Sequence, residues 1–248
     1  MKVVQARAVV RWFGELTTHA TDELCCLLIL RIAPALPFLP EAAHGTPIAA
    51  IVVHWTGDPV AGEAALRPIR SLGTPLADTI AKKPFIAHQT MLDAGVPFGR
   101  RYYWKSNNFD AVDDRLSNAL LSSAGNITSP FSSILLMHLD GAPAKLDTRE
   151  TAVGMRKARY VLNLQAGWDD RTEDARHIAW ARESLGAVQS LAAGNPYVNF
   201  LTADETASRG AAAYDGAIYE RLRDVKTNYD PRNLFHGAHN VMPRKTHL

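Results

Sequence analysis

Ten consecutive residues, 157–166, alternate with a period of two: Lys157, Arg159, Val161, Asn163 and Gln165 fall on one side, and Ala158, Tyr160, Leu162, Leu164 and Ala166 on the other. Only an extended strand keeps two such sets apart, because successive side chains of a strand point to opposite faces whereas a helix mixes them. The strand therefore belongs to a sheet with two unlike faces. Its apolar side is expected to pack under helices, and its polar side to look outward, where Arg159, Asn163 and Gln165 could meet a ligand or simply meet water.

The rest of the chain reads as the remainder of that sheet and its cover. Helices are expected at 4–17, 60–71, 110–122 and 172–192, and strands near 24–33, 47–56, 101–107, 132–139 and 157–166, with a short strand at 197–201 and an irregular stretch over 72–99. The order helix, strand, strand, helix, strand runs twice. That predicts an α+β fold: a large mixed or antiparallel sheet with helices packed on one face, built from two ferredoxin-like passes.

Composition narrows the function classes. With 248 residues, 47% of them hydrophobic, the chain can bury a sizeable core, and a net charge of +2 gives no field for nucleic acid or an anionic membrane. The apolar run from Leu24 to Pro40 is broken by Arg31, Pro34, Pro37 and Pro40, short of the ~20 residues a membrane helix needs. Cys25 and Cys26 are adjacent and offer neither a disulfide framework nor metal-ligand spacing; the histidines are scattered, so no metal site is expected and a cytoplasmic location is.

The closing segment is the most specific. Ile218, Leu222 and Val225 make one apolar face of a helix from Ala211 to Lys226, and Pro231 ends it. Asp230 is placed to cap the following turn, with Leu234 and Phe235 expected to pin that turn to the body. The stretch Tyr214 to Asn240, YDGAIYERLRDVKTNYDPRNLFHGAHN, preceded by Tyr197-Val-Asn-Phe200 and, further upstream, by Arg101-Tyr-Tyr-Trp-Lys-Ser106, Gly141-Ala142 and Ala166-Gly-Trp-Asp169, resembles the berberine-bridge-enzyme-like FAD-linked oxidoreductases. The likeness runs from about Ala6 to Met242, and its motifs are weak singly and specific as an ordered set.

The resemblance implies oxidation of an alcohol, sugar or alkaloid-like small molecule by hydride transfer to FAD. It also implies a division into a substrate-type region, 1–195, and a berberine-bridge-like C-terminal segment, 196–248, with the family's N-terminal FAD-binding domain expected to be absent. The chain alone is then not expected to hold FAD tightly. In the family the Tyr-x-Asn-x motif lies against the isoalloxazine and the tail position of Asn240 lies near the flavin, so the resemblance assigns Asn199, Phe200 and Asn240 to the cofactor. Many members have tyrosine as a base where Phe200 stands, and a phenyl ring cannot take a proton. The candidates left for proton handling are Tyr103, His138 and Tyr197; Lys105, Arg159, Asn163 and Gln165 are the candidates for holding substrate. Each has a plain structural alternative as a core aromatic, a buried histidine or a solvated strand face.

Three functional readings stand at this point. The chain is the substrate-side half of an FAD-linked oxidoreductase, partnered by a separate FAD-binding polypeptide or by its own kind. Alternatively it is a truncated, non-catalytic remnant, or a docking protein that uses the exposed sheet.

Overall fold

The computed structural model describes residues 3–205, 207–237 and 239–244, apart from the side chains of 3–5, 207 and 208. Strands β1 (Leu24–Ile32), β2 (Pro47–Trp55), β3 (Arg101–Phe109), β4 (Ser133–His138) and β5 (Tyr160–Trp168) form one antiparallel sheet in the order β2-β1-β4-β5-β3. Helices α1 (Val3–Thr18), α4 (Asp114–Gly125) and α5 (Asp174–Val188) cover one face, while α2 (Pro59–Arg70) follows β2 and the short α3 (Phe85–Gln89) lies in the crossover to β3. Two helices close the chain, α6 (Ala207–Ala212) and α7 (Gly216–Tyr229). No helix among the described residues is long and apolar enough to cross a membrane.

The core sits between the sheet and those helices. Tyr160, Leu162, Leu164 and Ala166 of β5 are at most 1% exposed and pack with Leu28, Ile134 and Leu136 of the neighbouring strands and with Phe13, Leu116, Leu120 and Trp180 of the helices. The alternation at 157–166 thus selects the face it was expected to select. The strand itself starts three residues later than expected, because Lys157 to Arg159 belong to the loop that brings Arg159 to Asp140.

Side-chain capping sets several boundaries. Asp113 accepts from the backbone of Leu116 at 2.8 Å and starts α4 later than apolar spacing predicts. Asp215 caps α7 through Ala217 N, so the helix expected from Ala211 is two helices with a turn at 213–215. The two passes share one sheet, as expected, and they interleave: β3 crosses from the edge that β2 occupies to the far edge, where it pairs with β5. The short strand expected at 197–201 is a 3₁₀ turn, Val198–Phe200.

Candidate functional site

The face of the sheet away from the core helices carries a row of polar side chains, and these are buried instead of turned to solvent as their alternation predicts. Directly opposite residues of an antiparallel pair share a face. Pairing sets Asn163 between Ser106 of β3 and Leu135 of β4, and Gln165 between Trp104 and Ser133. Tyr102, Trp104, Ser106 and Asn108 therefore lie on the side of Asn163 and Gln165, away from the core helices. Ser106, Asn108 and Asn163 are 1%, 0% and 2% exposed, yet the Ser106 hydroxyl, the Asn108 and Asn163 amide oxygens and Trp104 Nε1 have no hydrogen-bond partner among the described residues. Leaving one such group unmet costs about 1–3 kcal/mol, so a row of them marks a place suited to water or to a ligand's polar atoms.

Residues 193–205 run along the free edge of β3 and turn this row into a site. Ala193 N donates to Asn108 O at 2.7 Å, and the Asn108 amide donates to the Asn195 carbonyl. Further on, the Phe200 ring meets Trp104 edge-on at 5.7 Å and Tyr197 at 5.0 Å, and Asn199 Nδ2 donates to the Tyr197 hydroxyl at 2.7 Å. Tyr102, Trp104, Asn199, Phe200, Leu201 and Thr202 line a shallow, open slot of about 240 Å³. Its walls are aromatic and amide, with no formal charge. Such a slot accepts a planar ring and has nothing to neutralise a phosphate.

The tail returns to the same neighbourhood. Asp230 accepts from Leu234 N at 2.7 Å and Phe235 N at 3.0 Å, as its place before Pro231 predicts, and pairs with Lys226. The pairing with Lys226, the largest cause, holds the Asp230 carboxyl at about 2. Leu234 and Phe235 do not pin the turn to the body: they are 61% and 80% exposed. His239 Nε2 lies 3.2 Å from the carbonyl oxygen of Leu201, a residue of the slot, and Asn240 lines a separate depression of about 460 Å³ together with Lys226 and His236.

The remaining sequence candidates separate by face. Tyr103 and Lys105 stand opposite Ala166 and Leu164, and His138 opposite Tyr160, so all three point to the helix-packed side and not into the open face. Tyr103 donates to Asp204 at 2.6 Å, and Lys105, 5% exposed, is held by Thr202, Asp204 and Glu205. Glu205 and Tyr103 hold the Lys105 ammonium above its ordinary range although burial, the largest single influence, works against it. His138 is 2% exposed with its ring 5.7 Å from Tyr160. Arg159 is engaged by Asp140 at 2.9 Å and by the Thr17 carbonyl at 3.2 Å. Strict alternation along 101–109 would have found Trp104, Ser106 and Asn108, which motif reading passed over, and would have parted Tyr102 from Tyr103.

Comparison with known proteins gives first a set of relatives and then a family model that matches the C-terminal segment. The FAD-linked oxidoreductase aurO of Gibberella zeae is 24% identical over 184 residues, 73% of this chain and 35% of that protein. The uncharacterized FAD-linked oxidoreductase YgaK of Bacillus subtilis is 25% identical over 187 residues, 74% of this chain and 40% of its own length. Both relatives are FAD-linked oxidoreductases, and the chain spans well under half of their length. The family model "Berberine and berberine like" matches residues 196–242. The structure of BBE-like 28 from Arabidopsis thaliana shares the fold with a TM-score of 0.76 at 15% identity, covering 97% of this chain and 55% of that one. The match to the berberine and berberine-like family model thus covers the C-terminal segment, and the likeness to BBE-like 28 is one of fold.

Proposed function

We propose that this chain forms the wall of an oxidoreductase site that closes over a flavin ring and the small molecule it oxidises, an alcohol, a sugar or an alkaloid-like compound. The observation that carries the reading is the row of buried, unpartnered groups of Trp104, Ser106, Asn108 and Asn163 beside an uncharged aromatic slot on the sheet's open face. These residues fit the ring of FAD and not its pyrophosphate. Asn199, Phe200 and Asn240 are the residues that would lie against the ring, and FAD when bound supplies the hydride acceptor. Asn163 and Gln165, two residues apart on one face, orient a substrate hydroxyl, and the neutral lining favours hydroxyl-bearing substrates. Tyr197 is the side chain left to hold the hydroxyl proton, since Phe200 has no ionisable group and Tyr103 and His138 point to the other face.

Anchoring of the flavin's phosphates falls to polypeptide outside these 248 residues, either a longer protein that contains them or a separate FAD-binding partner. One further observation favours a reading in which this face is also a docking surface. The crossover from β2 to β3 exposes Phe85, Ile86 and Phe98, at 64%, 70% and 107%, together with Met91 and Leu92.

The test is to combine the chain with the flavin-bearing portion of a relative such as YgaK and to add alcohols and sugars without oxygen. Bleaching of the flavin should require this chain and should slow about tenfold or more in Asn163→Ala or Gln165→Ala, as loss of an orienting hydrogen bond implies. Bleaching at the same rate without the chain, or undiminished in both variants, refutes the proposal.

A further inference from the structure

We propose that Lys105 is a positioning residue: it latches the segment 197–205 across the edge of β3 and thereby sets the spacing between Phe200 and Trp104 in the slot. The use of that slot rests on the function proposed above; the latch rests on geometry alone.

Lys105 Nζ donates to Thr202 Oγ1 at 3.1 Å, Asp204 Oδ1 at 3.3 Å and Glu205 Oε1 at 2.5 Å, about a hundred residues further along the chain. The cluster extends on both sides. Asp204 accepts from the Tyr103 hydroxyl at 2.6 Å and from Arg182 of α5 at 2.8 Å, and Glu205 pairs with Arg209 at 3.0 Å. Lys105 and Glu205 have side chains only 7% and 11% exposed.

Alternation gives this cluster its leverage. Lys105 points to the helix side while its neighbours Trp104 and Ser106 point to the open face, so the latch and the slot are back to back on one strand. Thr202 belongs to both: it lines the slot and accepts from Lys105. The segment must therefore cross the strand edge between Phe200 on one side and Asp204 on the other. No residue from 197 to 205 is fully buried, and the packing of Phe200 on Trp104 leaves the segment to be held on the far side of the strand edge. The ion cluster does that, and a lysine this buried cannot lose its carboxylates without a large penalty.

Hydrogen exchange on the 248-residue chain tests the latch without flavin or substrate, so its failure and that of the oxidoreductase reading are separable. Lys105→Met should speed exchange of amides 198–205 about tenfold or more and leave 160–168 of β5 unchanged, and Lys105→Arg should restore most of the protection. Unchanged exchange at 198–205, an equal rise throughout β5, or no rescue by arginine overturns the proposal. If Lys105→Met does not fold, Asp204→Asn, at the solvent edge of the cluster, is read by the same criteria.

Discussion

Tyr160 joins packing and polarity in one side chain. It is 1% exposed, its ring 6.3 Å from Phe13, and its hydroxyl meets Thr17 Oγ1 at 2.6 Å where α1 lies on the sheet. Tyr160→Phe leaves the Thr17 hydroxyl its bond to Phe13 O at 2.7 Å. The expected cost is therefore about 1 kcal/mol in urea unfolding, and a cost above about 3 would mean the hydroxyl holds more than this pair. His138 contributes with the opposite sign. Burial, the largest cause, and the Arg159 guanidinium push its imidazole below the ordinary value against the pull of Asp140. The unfolded chain takes up that proton near pH ~6.5 and the folded chain resists it, so this residue costs stability as pH falls below about that point. His138→Leu should gain on the parent in unfolding free energy between about pH 7 and pH 5; a difference that does not move with pH contradicts the assignment. At this scale the sequence was legible where alternation was followed. It sorted Tyr160 from Asn163 correctly, and it misplaced Tyr103 and Lys105 where a motif was read as a block. The carboxylates that engage Lys105 lie about a hundred residues away and leave no local signal.

At the level of elements, side-chain caps explain most of the shifts between sequence and structure. Asp113 starts α4 and Asp215 divides α6 from α7, boundaries that apolar periodicity alone does not mark. The turn at Val198–Phe200 had no such marker, because four residues of mixed aromatic and polar character suit a strand and a tight turn equally. One contact between elements is readable only in three dimensions. Gly154, in the loop before β5, lies so close to the turn between α6 and α7 that a Cβ there would run into Ala213 O and sit 2.8 Å from Tyr214 Cα. Gly154→Ala should displace the C-terminal helices and raise tryptic cleavage at Arg221 and Arg223 several-fold, whereas Gly125→Ala, whose Cβ would meet nothing within 4 Å, should not. Equal cleavage in both variants would show that the close approach is not needed for docking.

For the molecule as a whole, the consequence of the topology is a sheet whose core helices α1, α4 and α5 lie on one side. The strand order β2-β1-β4-β5-β3 sends the crossover to β3 from one sheet edge to the other, and leaves the polar row and the slot on the side the core helices do not cover. The antiparallel sheet and its one-sided core helices were legible from the spacing of apolar residues. The interleaved strand order was not, since periodicity fixes faces and is silent on neighbours. The central claim is that this face meets a flavin's ring while the flavin's phosphates are held elsewhere. The most direct test is to titrate the 248-residue chain with FAD and with lumiflavin, which has the ring alone, and to repeat both with Trp104→Ala. The account predicts similar, weak affinities for the two compounds, both reduced by the substitution. A stoichiometric FAD complex far tighter than that with lumiflavin, or binding indifferent to Trp104, would contradict it.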